Sequence, residues 1–343
     1  MTTPSSEATT TRATSEREPA STFERVLREG KFAVTVEIVP PRVPSLNVVG
    51  KKFEMLRGLA EAINITDNAS ASVKMSSLAV CAYLVQQGGE PVFQVTARDR
   101  NRLALQADLI GAYALGIRNV FAVTGDYVNM GDHPAAKPVY DMDSVQIVEM
   151  FDKMRRGYLD SGVELRSTSK TPLHQPNFFL GASANPFADP MPFHVLKTAK
   201  KRAAGAQFIQ TQCTFDVPRL REFMKLVVDR GLHEELYFVI GIMPCKSHRP
   251  LEFMCSSVPG MRIPDATIQR MRDAKDGEEE GITMAVEIIN EVRQIEGVAG
   301  IHIMTVSWEQ AIPEILKRAH LLPEERGVAE AAGQPAESTP AAT

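Results

Sequence analysis

The chain has 343 residues, with 38 Lys plus Arg against 42 Asp plus Glu and a formal charge of −4. That balance leaves no basic footprint for a nucleic-acid backbone or an anionic membrane. With 44% apolar and 23% charged residues, a disordered or fibrous chain is also excluded. A small-molecule ligand and a sizeable core are expected, in two domains or one large barrel.

Cys81, Cys213, Cys245 and Cys255 are too few and too irregularly spaced for a disulfide scaffold or a CxxC site. The seven histidines show no HxxH or HExxH spacing, so no metal is expected. No apolar run reaches about 18 residues and no basic-then-apolar leader is present, which predicts a cytoplasmic protein. The Ser- and Thr-rich start imitates a transit peptide, but Glu7, Glu16 and Glu18 argue against one. Residues 1–22 and 323–343 read as disordered tails around a single domain at 23–322.

Between the tails one rhythm repeats. FAVTVEIV at 32–39 is a β-branched run stopped by Pro40 and Pro41. Helical spacing follows, then AINIT at 62–66, a helix ending at the Gly88–Gly89 pair, and PVFQVT at 91–96. The helix RLALQADLIGAYALG leads to NVFAVTG at 119–125; a long loop and DSVQIVEMFDKMRRGYL lead to FFLGAS at 178–183. HVLKTAKKRAAG, FIQTQ at 208–212, PRLREFMKLVVDRG and YFVIGIM at 237–243 continue the order. GEEEG at 277–281 reads as a solvated turn before the helix ITMAVEIINEVRQIEG. GIHIMT at 300–305 and a helix from Trp308 to His320 close it. Eight strand and helix pairs predict a (β/α)8 TIM-type barrel, because parallel strands need crossover helices and closure removes sheet edges. A doubly wound open sheet is the alternative, but the turn after strand one is PPRVPS rather than GxGxxG.

Barrel ligands sit at the C-terminal strand ends, and polar residues collect there: Glu37, Thr66, Asp67, Gln94, Thr96, Asp126, Ser183, Asn185, Gln212 and His248. Glu37 is a carboxylate inside an apolar strand, where burial favours the neutral acid and suits general-acid work. Its bland reading is a structural carboxylate paired with Arg or Lys. TGD at 124–126 is equally an ordinary Asp turn. The fifteen methionines read as core filler.

VEIVPPR, NVFAVTGD, AGAQFIQTQCTFD, GIMP and PGMRIPD occur in the order found in methylenetetrahydrofolate reductases, and the chain resembles that family over about residues 30–320. The resemblance implies a flavin-containing barrel that reduces 5,10-methylenetetrahydrofolate to 5-methyltetrahydrofolate by hydride transfer through the flavin. It implies Glu37 as the acid that opens the imidazolidine ring, Asp126 as a pterin contact near the flavin, and Gln212 as a pterin ligand. Thr66, Gln94, Thr124, Gly125, Asp126, Tyr140, Ser183 and Lys201 fall at positions resembling flavin contacts, and Arg262 at one for the folate tail. Lys201 also suits a solvated helix face, Tyr140 a packed loop aromatic, and Arg262 a barrel closure. The chain departs from the family pattern at Gln94, Thr124, Ser183 and His248. The implied cofactor is FAD, with FMN as the alternative, and the donor is NADH or another source such as a partner subunit. A homo-oligomer is implied by the same analogy. The competing readings are a partner-dependent folate-binding subunit and a pterin-dependent methyl transferase.

Overall fold

Eight parallel strands close in chain order: β1 (Ala33–Ile38), β2 (Ala62–Ile65), β3 (Pro91–Thr96), β4 (Asn119–Val123), β5 (Phe179–Ala184), β6 (Phe208–Cys213), β7 (Tyr237–Ile242) and β8 (Val298–Ile303). β1 pairs with both β2 and β8, so no edge is left open. The computed structural model describes residues 17–258 and 260–328. After α1 (Thr22–Arg28), the crossovers are α2 (Leu46–Leu56), α3 (Ser77–Gln86), α4 (Arg102–Ala114), α5 (Ser144–Arg155), α6 (Met191–Ala203) and α7 (Val217–Val228). Next come α8 (His248–Ser257), α9 (Asp265–Asp273), α10 (Gly277–Val292) and α11 (Ile312–Arg318). The expected (β/α)8 barrel is the fold.

Strand alternation divides the core into two layers. Val34, Val36 and Ile38 pack in the cluster that joins strands to helices, whereas Ala33, two residues before Thr35, belongs to the cluster inside the barrel floor. That floor is aromatic. The Phe208 ring stacks on Phe179 at 4.7 Å, and Phe23 of α1 meets both edge-on at 5.2 and 5.4 Å. Gly181 is required there, because a Cβ would lie 2.1 Å from the Phe208 ring. Sealing the floor leaves the opposite, C-terminal end for a ligand.

Three stretches differ from the sequence expectation. Most of the two expected tails lies outside the described residues, but 17–22 and 323–328 are held on the barrel. Ser21 Oγ donates to Asn119 Oδ1 at 2.7 Å, Arg326 pairs with Glu61 at 2.7 Å, and Val328 is buried in the floor cluster. The GEEEG run is the first turn of α10, not a turn before it: Asp276 caps the Glu278 and Glu279 N–H groups, and acidic residues favour a helix N-terminus. Within 248–273 lie α8 and α9, which bury only Leu251, Met254 and Met271, too few to mark a helical period. These three side chains join Cys213, Cys245 and Met284 in a sulfur-rich satellite core. Burial pushes the Cys245 thiol up to about 12 and Cys213 higher still, so neither thiol is a nucleophile at neutral pH.

Candidate active site

The C-terminal mouth of the barrel holds a cavity of about 580 Å³, within the range of small-molecule sites. Twelve sequence-selected residues line it: Glu37, Thr66, Asp67, Gln94, Thr96, Thr124, Gly125, Asp126, Ser183, Asn185, Lys201 and Gln212. A second cavity of similar size adjoins it and shares Ser70, Thr124, Gly125, Asp126, Gln212 and Val258. Tyr140 lines that second cavity. Arg262 lines neither. Its Nε binds the Asp216 carboxylate at 3.1 Å on a loop where half of its side chain is exposed, which differs from the expected folate contact.

Glu37 projects from late β1 and only 14% of its side chain is exposed. Among the described residues no Arg or Lys pairs with it. Its Oε2 accepts a hydrogen bond from Gln94 Nε2 at 3.4 Å and lies 3.7 Å from His302 Nε2. Both partners meet the same oxygen, leaving Oε1 without a protein hydrogen bond.

Beneath Glu37 lies a buried polar layer that sequence reasoning missed. His302 Nδ1 is 2.9 Å from Thr35 Oγ1, and Thr35 Oγ1 accepts from Gln210 Nε2 at 3.2 Å. Gln210 and Asn64 exchange two amide hydrogen bonds, of 2.6 and 3.1 Å. All four side chains are buried. The overlooked signal was the period of two: Thr35 precedes Glu37, and Gln210 precedes Gln212, by one inward position.

Asp126 is fixed from the neighbouring loop. Its Oδ2 accepts the Ser70 N–H at 2.8 Å, and its backbone oxygen accepts from Tyr140 Oη and Arg98 Nη1, each at 3.3 Å. Asn68, Ser70, Ala71 and Tyr140 all have positive φ, between 40° and 55°. Such backbone costs about 1–3 kcal/mol per residue and clusters at ligand sites. Gly131 permits the loop contact, since a Cβ there would sit 1.8 Å from the Ala71 carbonyl oxygen. Asp67, by contrast, is saturated by Thr96 and Arg100 and ties the ends of β2 and β3 together.

The far wall is cationic. His194, Lys197 and Lys201 of α6 line the cavity, and Lys201 is buried with Nζ donating to the Ser183 carbonyl at 2.5 Å. Burial, reinforced by the nearby Lys197 charge, lowers the Lys201 ammonium to about 8. Thr66 Oγ1 is buried with no hydrogen-bond partner. An orphaned hydroxyl and a buried amine lining one cavity fit a ligand with a polar ring edge and an anionic group, as a flavin nucleotide has.

The family model described as methylenetetrahydrofolate reductase matches residues 22–320. This chain belongs to the methylenetetrahydrofolate reductase family. Methylenetetrahydrofolate reductase 2 of Schizosaccharomyces pombe is 25% identical over 305 residues, which cover 85% of this chain and 46% of that protein. A probable NADPH methylenetetrahydrofolate reductase of Caenorhabditis elegans is 21% identical over 314 residues, covering 86% and 43% respectively. The chain thus spans about half the length of the curated relatives it matches. A solved Clostridium thermocellum protein, described as binding two copies of 5-methyl-5,6,7,8-tetrahydrofolic acid, shares the fold with a TM-score of 0.61 at 16% identity. That match covers 90% of this chain and 99% of that one.

Proposed function

We propose that the barrel reduces 5,10-methylenetetrahydrofolate to 5-methyltetrahydrofolate. The observation that carries this reading is the convergence of Glu37, Asp126 and Gln212 on one cavity, with Glu37 presenting one oxygen free of protein donors. Protonated on that oxygen, Glu37 delivers its proton to the folate nitrogen as the C–N bond of the imidazolidine ring breaks, leaving the iminium cation. Gln94 donates to the other oxygen, with His302 3.7 Å from it, and so aims the proton into the cavity. Asp126, anchored by Ser70, offers negative charge where the cation develops. Gln212 accepts the Cys213 N–H through its own Oε1 at 3.0 Å, so its amide nitrogen is the end that donates to the pterin.

A bound flavin, FAD with FMN as the alternative, supplies the hydride to the iminium carbon. Thr66 and Lys201 would hold its ring edge and phosphate, with Thr124, Gly125, Ser183 and Tyr140 as the remaining walls. The electron donor is NADH, a partner subunit being the alternative, and the assembly is a homo-oligomer.

Mass identification of the cofactor released from purified protein, followed by a donor screen, tests the reading. The expected result is flavin that bleaches with NADH and recovers on adding methylenetetrahydrofolate. Flavin-free protein that still reduces folate with NADH overturns the carrier but keeps the acid. Normal folate turnover by Glu37→Gln overturns the acid.

A further inference from the structure

The barrel interior normally fills with branched aliphatic side chains. Here its middle layer is instead a closed polar network that touches neither cavity directly through Thr35 or Asn64. A buried polar network is costly unless every member is satisfied, and it then dictates which atoms carry hydrogens.

The hydrogens can be assigned from the amide end. Gln210 Oε1 accepts from Asn64 Nδ2, so Gln210 Nε2 is the donor to both Asn64 Oδ1 and Thr35 Oγ1. Thr35 Oγ1 therefore accepts from Gln210 and has one hydrogen to place. Two acceptors are near: His302 Nδ1 at 2.9 Å and the Ile301 carbonyl at 3.4 Å. A hydroxyl hydrogen bond is formed at about 2.5–3.0 Å, which favours the imidazole. With Nδ1 accepting, the neutral ring carries its hydrogen on Nε2, the atom that faces Glu37 Oε2. The opposite tautomer would set a lone pair against that oxygen and draw the Glu37 proton onto Oε2, away from the cavity.

We propose that the Asn64–Gln210 amide pair is a positioning device: it directs the Thr35 hydroxyl onto His302 Nδ1, so that His302 turns its Nε2–H toward the Glu37 oxygen 3.7 Å away and the acidic proton stays on the oxygen facing the substrate. The proposal rests on the reading of Glu37 as the folate acid. Asn64 and Gln210 are thus positioning residues acting on Glu37 through Thr35 and His302; Gln210 also lines the cavity, so Thr35→Val, at a residue that does not, is the variant that isolates the relay.

The deciding measurement is the tautomer of His302, read from long-range 1H–15N correlations of the ring nitrogens in the intact protein, with His302→Gln as the assignment control. Hydrogen on Nε2 and none on Nδ1 is expected in the neutral ring. Gln210→Met keeps the volume and removes the donor; it should move hydrogen toward Nδ1 and lower kcat for folate reduction roughly 10-fold, with KM unchanged, as loss of an orienting partner does. Thr35→Val removes the relaying hydroxyl and should do the same, so the kinetic arm survives if Gln210→Met does not fold. Hydrogen on Nδ1 in the wild type overturns the proposal, as does a Gln210→Met protein with unaltered tautomer or unaltered kcat. Wild-type protein with the Nε2 tautomer but no folate reduction supports the orientation and sinks instead the reaction assigned to Glu37.

Discussion

His302 Nε2 and Glu37 Oε2 lie 3.7 Å apart across the strand pair β8 and β1, with no Lys or Arg among the described residues paired to either. The carboxyl therefore has an imidazole rather than a fixed cation beside it, an arrangement suited to general-acid work. Glu37→Gln keeps an acceptor for Gln94 and removes the acid. Folate reduction should fall by about 10²–10⁴, the range of a general acid, while reduction of the bound cofactor by its donor persists. Stopped-flow measurement of the two half-reactions separates them; equal losses in both would refute the assignment.

Asp126 is held by the Ser70 N–H on a loop with several left-handed residues, so its position is maintained against backbone strain. Asp126→Asn preserves an acceptor for Ser70 but removes the charge. We expect folate reduction to slow by about 10²-fold, comparable to loss of one preorganised electrostatic contact. The potential of a bound flavin should shift upward, since a nearby negative charge disfavours its reduced anion. Dye-equilibrated reductive titration checks this, and an unchanged potential places Asp126 away from the ring.

The barrel could be read from the chain because its eight strands are short β-branched runs punctuated by helices of ordinary period, and all eight are found. The lining of the mouth could be read for the same reason: residues at C-terminal strand ends share one space whatever their spacing in sequence. What escaped was depth. Thr35 and Asn64 sit one inward step below the mouth while Gln210 and His302 reach its wall, and their joining requires the interstrand register, which no local pattern contains. The partner of Arg262, Asp216, was hidden for a related reason, since it lies far off in sequence and also caps α7.

Lys201 predicts a pH dependence whose sign can be fixed. Its ammonium titrates at about 8, below the ordinary lysine value of 10.5, because burial disfavours the charge. Above pH 8 the folded protein releases this proton while the unfolded chain keeps it, so stability rises with pH between about 8 and 10.5. The full contribution is about 3 kcal/mol in order of magnitude. Lys201→Met should flatten that rise in denaturant unfolding measured across the window. An anionic ligand at this wall needs the charged form, so its affinity should weaken as pH passes 8 in wild type and not in Lys201→Met. A wild-type affinity independent of pH in that range separates the anion site from Lys201.

The last prediction concerns the barrel floor. Arg326 Nη1 meets both Glu61 oxygens at 2.7 Å, both side chains are almost wholly buried, and Glu61 also accepts the Val34 N–H at 2.6 Å. Removing one member of such a pair costs about 3–5 kcal/mol, because the other charge remains buried without compensation. Arg326→Met should therefore be strongly destabilised, as should truncation after residue 322, although sequence composition alone assigns 323–343 to a tail. Burial raises the Glu61 carboxyl even beside Arg326, and losing the cation raises it further. A group whose folded value exceeds its unfolded one stabilises at low pH and loses that contribution as pH rises through the folded value. The Arg326→Met deficit should thus be smallest in mild acid and largest at neutral pH. Urea unfolding of both proteins between pH 5 and 8 measures it, and a pH-independent deficit would mean that packing rather than the buried charge governs the loss.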